Sequence, residues 1–181
     1  DIGSGKSYVA NSFGYPVFNA DQEVGKIYKK NKKVFLKLKK ILPKFIYSYP
    51  IDKYEITNAI LSNKNNLKKI IKIVHFEVRK KMRLFLRKNK NKKLVILDIP
   101  LLLESKLNKK NDILIFIDAN KKNILKKLKK RKNFNLKLFY KFKKIQLPLA
   151  YKKQKSNYII KNNFTNRDIK KDINKILIKI L

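Results

Sequence analysis

The sequence predicts an α/β protein built on a doubly wound parallel sheet, and three observations carry that prediction. A glycine-rich segment, Gly3-Ser4-Gly5-Lys6-Ser7, opens the chain and runs straight into a helical pattern. Short apolar runs end in Asp or Asn. Stretches with apolar residues at helical spacing separate those runs. Short buried strands alternating with helices are the pattern of a parallel sheet covered on both faces.

The first element is a phosphate-loop pattern, G-x-x-x-x-G-K-[ST]. Gly5-Lys6-Ser7 supplies its last three positions and Asp1 through Ser4 its variable ones. The pattern's first glycine would precede Asp1, so a strand and that glycine are expected to be missing ahead of the chain. Glycines let successive backbone N–H groups curl around phosphate oxygens. In such a loop Lys6 reaches the β- and γ-phosphates of ATP, and the Ser7 hydroxyl ligates Mg²⁺. Ile2, Gly3, Ser4, Gly5, Lys6 and Ser7 are therefore candidate nucleotide-binding residues. A helix is expected from Ser7 to about Phe13, with Val9, Ala10 and Phe13 facing inward. The competing reading is a plain glycine turn before a helix.

The strands come next. Tyr15–Phe18 leads to Asn19-Ala20-Asp21, Leu94–Leu97 to Asp98-Ile99-Pro100, Ile113–Ile117 to Asp118, and Tyr158–Ile160 to Lys161-Asn162. Polar residues thus gather at the carboxyl ends of the strands, the edge where open α/β sheets bind ligands. Phosphoryl transfer needs a group that orients or deprotonates the attacking hydroxyl, and carboxylates around Mg²⁺. Asp21 is the candidate base and Asp98 the candidate metal carboxylate. Both also fit as helix caps or strand ends. Asp118 reads as structural, closing a strand before a helix that Asn120 caps.

Residues 22–93 read as helices inserted between core strands. Asn63–Asn66 is expected to be a polar loop. Leu67–Lys88 then carries Ile70, Ile71, Val74, Val78, Met82 and Leu86 at helical spacing. Such an insert suits a substrate-binding lobe, or a helical layer that only covers the sheet. Its His75, the chain's one histidine, suits packing as well as binding. From Asn120 to Lys155 a Lys-dense helical hairpin, with a loop at Lys132–Asn135, fits a lid that closes over ATP. Arg131, the one Arg of that stretch, is its candidate cation. Thr165-Asn166-Arg167-Asp168 reads as a capping box for a last, core-packing helix.

Composition excludes more than it proposes. The chain has 181 residues, a net charge of +36 and no Cys, so it holds neither a disulfide framework nor cysteine-ligated zinc. No apolar run approaches membrane-spanning length, and no signal peptide is visible. Of the 48 basic residues only five are Arg, whereas nucleic-acid readers favour Arg for its bidentate fork. An excess of Lys, Asn and Ile together fits A- and T-rich codons better than a dedicated nucleic-acid surface.

Taken in order, these segments resemble the dephospho-coenzyme A kinase family across nearly the whole chain. The resemblance rests on Ile2–Ser7, on Asn19-Ala20-Asp21, on Ile51-Asp52-Lys53 and on His75-Phe76-Glu77-Val78. Its fullest match after the loop is Leu97-Asp98-Ile99-Pro100-Leu101-Leu102-Leu103-Glu104. Arg131, Gln146-x-Pro148-x-x-x-Lys152 and Ile160-x-Asn162 follow. The resemblance implies transfer of the ATP γ-phosphate to the 3′-hydroxyl of dephospho-CoA, the last step of coenzyme A synthesis. It implies a P-loop core at about 1–21, 94–119 and 156–181, a helical CoA-binding insert at about 22–93 and a lid at about 120–155. It assigns Lys6, Asp21 and Arg131 to catalysis, adds Asn162 to the nucleotide residues, and places His75, Pro100 and Leu101 at the substrate. ATP and Mg²⁺ are the expected co-substrate and cofactor. A cytoplasmic enzyme, monomeric or weakly oligomeric, with no specific nucleic-acid or membrane partner, is the matching expectation. Departures include Asn19 for an acidic residue, Lys53 for Arg, Ile124 where Gln is common, and Lys127 for a second lid Arg. Lys in place of Arg keeps charge but loses the bidentate fork. The rivals are another small-metabolite or nucleotide kinase, an ATP-binding module without catalysis, and a basic nucleic-acid binder.

Overall fold

A computed structural model describes residues 1–131 and 134–181. The chain forms two compact units, one from residues 1–17 and 92–181, the other from residues 18–91.

In the first unit the glycine-rich segment leads into α1 (Lys6–Ser12). Among the described residues, β2 (Ile96–Asp98) pairs with β1 (Val17–Asn19), of which only Val17 belongs to this unit, in one two-stranded sheet, and β3 (Ile115–Asp118) and β4 (Tyr158–Lys161) form another. β3 and β4 run parallel, with Ile115 opposite Tyr158 and Asp118 opposite Lys161. The architecture is mixed α/β with parallel strands, as expected. The first three strands begin two residues later than their apolar runs, for reasons visible in two of them. Pro16 has no N–H to give a ladder, so it contributes only its carbonyl, which accepts from Ile96 N–H at 2.9 Å. Leu114 is engaged mainly by Asn157 ahead of the ladder: its N–H donates to Asn157 Oδ1 at 2.8 Å, and its carbonyl accepts from the N–H groups of Asn157 at 2.8 Å and Tyr158 at 3.2 Å.

Helix α9 (Asn166–Ile180) packs on β4 and on α1, and α1 packs on β2. Val9 and Phe13, Ile117, Ile160, and Ile169, Ile173 and Ile176 close one core, against which Ile96 also packs. The spacing of the α9 residues is one helical stripe, so its burial follows from the sequence period. The expected capping box at its start is absent. Thr165 Oγ1 donates to Asp168 Oδ2 at 2.8 Å, so the hydroxyl satisfies a carboxylate rather than the helix N–H groups.

Helices α6 (Lys121–Lys129), α7 (Leu136–Ile145) and α8 (Leu149–Gln154) occupy the stretch expected to form a hairpin. Asn120 caps α6 as expected, accepting from Lys122 N–H at 2.9 Å. The extra helix follows from Pro148, which lacks an N–H, breaks the chain after α7 and restarts it at α8. Lys132 and Asn133 of the expected loop lie outside the described residues.

The second unit is helical: α2 (Ala20–Lys30), α3 (Lys32–Ile41), α4 (Lys53–Ser62) and α5 (Lys64–Lys88). α2, α3 and α4 all pack on α5. The buried α5 stripe is Leu67, Ile70, Val74, Val78 and Met82, spaced by three or four residues. The polar loop expected at Asn63–Asn66 is instead the helix start. Asn63 caps it by accepting from Asn65 N–H at 2.9 Å. Asn66 is buried inside the first turn and donates to the Ala59 carbonyl at 2.9 Å. These asparagines serve helix ends, where a short amide competes with water for backbone groups. The bend before α4 is organised by Glu55, only 2% exposed, whose carboxylate accepts from the Tyr47 and Ser48 N–H groups and the Ser48 hydroxyl.

Candidate active site

The glycine-rich loop is shaped by two left-handed glycines. Gly3 has φ 80° and Gly5 φ 87°, a region costly for any side chain. Space adds to that demand. A Cβ on Gly3 would meet Leu128 Cγ at 2.9 Å, because α6 lies directly against the loop. A Cβ on Gly5 would meet Asn162 Nδ2 at 2.3 Å. Gly5 is the N-cap of α1 and brings no capping side chain. The Lys6 ammonium turns back along the loop and donates to the Asp1 carbonyl at 2.6 Å. Ser4 is fully buried, and its hydroxyl has no hydrogen-bond partner among the described residues. Ser7, one residue into the helix, is exposed.

Asn162, at the carboxyl end of β4, is 1% exposed. Its backbone N–H donates to the Asp118 carbonyl at 2.7 Å, joining the ends of β4 and β3. Its Nδ2 donates to the Ser4 carbonyl at 2.7 Å, and its Oδ1 accepts from Phe164 N–H at 2.7 Å. Phe164 sits at φ 63°, and the Lys127 ammonium lies 4.1 Å from its ring centre. Lys127 and Ile124, two departures from the family pattern, thus both touch the loop's surroundings. Ile124, Leu128 and Phe139 form a small apolar cluster with Ile2 and Phe164 packed on it.

Asp98 ends β2 and is 6% exposed. The chain then turns repeatedly through Pro100 and Leu101, both half-buried, with Ser105 N–H donating to the Leu101 carbonyl at 2.9 Å. That turn is fastened by Glu104. Its Oε1 lies 2.5 Å from Lys152 Nζ on α8 and accepts from Leu147 N–H at 2.9 Å. Burial alone would push the Glu104 carboxyl up; the Lys152 ammonium and the backbone N–H bonds outweigh it and hold the carboxyl below its ordinary range. Sequence reasoning quoted both partners in separate motifs and missed their contact. Nothing in either motif signals the other.

A family model for dephospho-CoA kinase matches residues 1–168. The chain belongs to the dephospho-CoA kinase family. A dephospho-CoA kinase of Wolbachia sp. subsp. Brugia malayi is 32% identical, over 97% of this chain and 92% of the relative. The Rickettsia felis dephospho-CoA kinase is 28% identical, over 98% and 92%. Two solved structures share the fold: a Thermus thermophilus protein at TM-score 0.77 and 23% identity, covering 99% of this chain and 93% of that one, and a Campylobacter jejuni dephospho-CoA kinase at TM-score 0.61 and 24% identity, covering 98% and 90%. The reaction of the dephospho-CoA kinase family is phosphorylation of dephospho-CoA, the final step of coenzyme A biosynthesis, with ATP as co-substrate.

Of the residues expected for a dephospho-CoA kinase, the loop, Asp98, Pro100, Leu101 and Asn162 lie in the first unit, where Asn162 contacts the loop and α1 packs on the strand that Asp98 ends. Arg131 follows α6 and is exposed, its backbone N–H donating to the Leu128 carbonyl at 3.0 Å. Asp21 and His75 belong to the second unit. Asp21 is exposed in the first turn of α2, whose N-cap Asn19 accepts from Gln22 N–H at 2.9 Å. His75 is half-buried on α5; burial, and then the Arg79 charge one turn on, push its imidazole pKa below the ordinary histidine value. Among the described residues no helix is long and apolar enough to cross a membrane.

Proposed function

We propose that the chain phosphorylates the ribose 3′-hydroxyl of dephospho-CoA, holding ATP on the Ile2–Ser7 loop, with Asp21 as the base. The observation that carries the reading is the loop itself: two glycines in left-handed backbone, an Lys6 side chain folded along it, and a helix that starts without a side-chain cap. Such a loop offers backbone N–H groups and a point charge to a triphosphate.

In the proposed reaction the 3′-oxygen attacks the γ-phosphorus. The bond from that phosphorus to the β,γ-bridging oxygen breaks, ADP leaves, and the hydroxyl proton passes to the Asp21 carboxylate. Lys6 and Arg131 stabilise charge on the transferring group. The donor set suits Mg²⁺: Ser7 and Asp98 are hard oxygen donors on adjacent packed elements. Mg²⁺ is characteristically held by one or two protein oxygens plus phosphates and water. Bound there, it would neutralise phosphate charge. His75, Pro100 and Leu101 serve the acceptor, and residues 120–155 act as the lid over ATP. The enzyme works in the cytoplasm, where its substrates are made.

Replacing Asp21 by Asn tests the assignment. Turnover should fall by about 10²–10⁴-fold with little change in ATP binding, and phosphorus NMR of the parent's product should show a 3′-phosphate. Turnover within ten-fold of the parent would remove Asp21 from the role.

A further inference from the structure

We infer that Asn162 acts as the positioning residue of the phosphate loop, holding it by the Ser4 carbonyl rather than by touching nucleotide. The inference rests on the reading of Ile2–Ser7 as the ATP-binding loop.

The geometry leaves the Asn162 side chain committed at both ends. Nδ2 donates to the Ser4 carbonyl at 2.7 Å and Oδ1 accepts from Phe164 N–H at 2.7 Å. Its backbone N–H is committed too, to the Asp118 carbonyl at 2.7 Å. At 1% exposure it offers almost no surface to a ligand. Ser4 and Asn162 are 158 residues apart in the chain, so one amide ties the opening loop to the ends of β3 and β4.

The tie fixes what a phosphate loop must have fixed. A carbonyl pinned from behind cannot rotate toward the anion, where its oxygen would repel phosphate. Pinning the Ser4 carbonyl also sets the plane of the Ser4–Gly5 peptide, and hence the direction of the Gly5 N–H. Gly5 shows how closely this is fitted, since its missing Cβ would fall 2.3 Å from the same Nδ2. The second arm, through Phe164 N–H, holds Phe164 in its left-handed conformation, a strained state for an aromatic residue. The Phe164 ring lies 3.6 Å from where a Gly5 Cβ would stand, so both arms of Asn162 bear on the same glycine.

Three variants test this, read by fluorescent-ADP binding and by KM against kcat. Asn162→Ala should weaken ADP binding and raise KM for ATP by about ten-fold or more, with KM for dephospho-CoA within two-fold. Asn162→Asp sets a carboxylate against the Ser4 carbonyl at neutral pH. Once protonated, the acid donates as the amide did, so its ADP affinity should recover toward the parent's as pH falls from 7.5 to 5.5, while Asn162→Ala shows no such recovery. Gly5→Ala displaces the amide; added to Asn162→Ala it should cost less than it does in the parent. Unchanged ADP affinity in Asn162→Ala and Asn162→Asp, or a kcat loss with ATP KM unmoved, would overturn the inference. A parent that binds ADP but leaves dephospho-CoA unphosphorylated defeats the substrate assignment alone, and the ADP series still decides the role of Asn162.

Discussion

Different kinds of polar contact stand out within each of the two units. In the first, side-chain bonds bridge distant chain: Asn162 to Ser4 and Tyr8 to Asn166 across 158 residues, Glu104 to Leu147 and Asn157 to Leu114 across 43. In the second, the bonds of Asn31 at the start of α3, Asn63 and Asn66 at α5 and Glu55 in its bend are local, spanning no more than eight residues. The second unit is shaped by an apolar stripe on α5 and by helix caps, so its order follows from neighbouring sequence. The first unit fastens a loop to strand ends and a turn to α8, and single polar side chains do so.

That contrast can be broken by mutation, and the largest effect is expected in the second unit's core. Leu38, fully buried on α3, should lose about 2–5 kcal/mol on replacement by Ala, measured by urea unfolding. ATP KM should stay within two-fold. A rise comparable to that expected of Asn162→Ala would show that the division of labour is wrong.

Next comes the Glu104 tie. Glu104→Ala strands the Lys152 ammonium, whose side chain is 15% exposed. The expected loss is about 1–3 kcal/mol, below the range for a fully buried pair because water still reaches both partners. The pH dependence follows from the sign of the shift. The Glu104 carboxyl titrates below its ordinary 4.5 in the folded chain, so its stabilisation is present above that value and drains as pH falls through the folded-state value. The stability gap between the parent and Glu104→Gln should be flat from about pH 7 to 5 and shrink at lower pH. A gap that widens on acidification would contradict the pairing.

Smaller effects remain local. Asn63→Ala removes the α5 cap and should cost about 1 kcal/mol, read from the thermal midpoint, with kinetics unchanged. Lys127→Ala removes the cation over Phe164, worth about 0.5–1 kcal/mol.

How much of this was legible beforehand follows the same division. The phosphate loop, the Asn120 cap, the α5 stripe and the family resemblance are readable because each is a contiguous pattern. The starts of strands were misjudged because hydrophobicity marks burial, whereas Pro16 and Asn157 decide where pairing begins. Asn63 and Asn66 were misread as loop because asparagine favours turns and helix starts alike. The Glu104–Lys152 bridge was beyond reach, since no local rule connects a turn after β2 with α8. Asn162 was singled out as a nucleotide ligand from its motif, but only the fold shows its amide on the Ser4 carbonyl.

The most direct test of the account is Mg²⁺-ATP-dependent phosphorylation of dephospho-CoA by the purified protein beside Lys6→Ala. The account predicts 3′-phosphorylated product from the parent and a loss of about a hundred-fold or more in the variant. Equal turnover in both, or a folded, ATP-binding parent that yields no product, would contradict it.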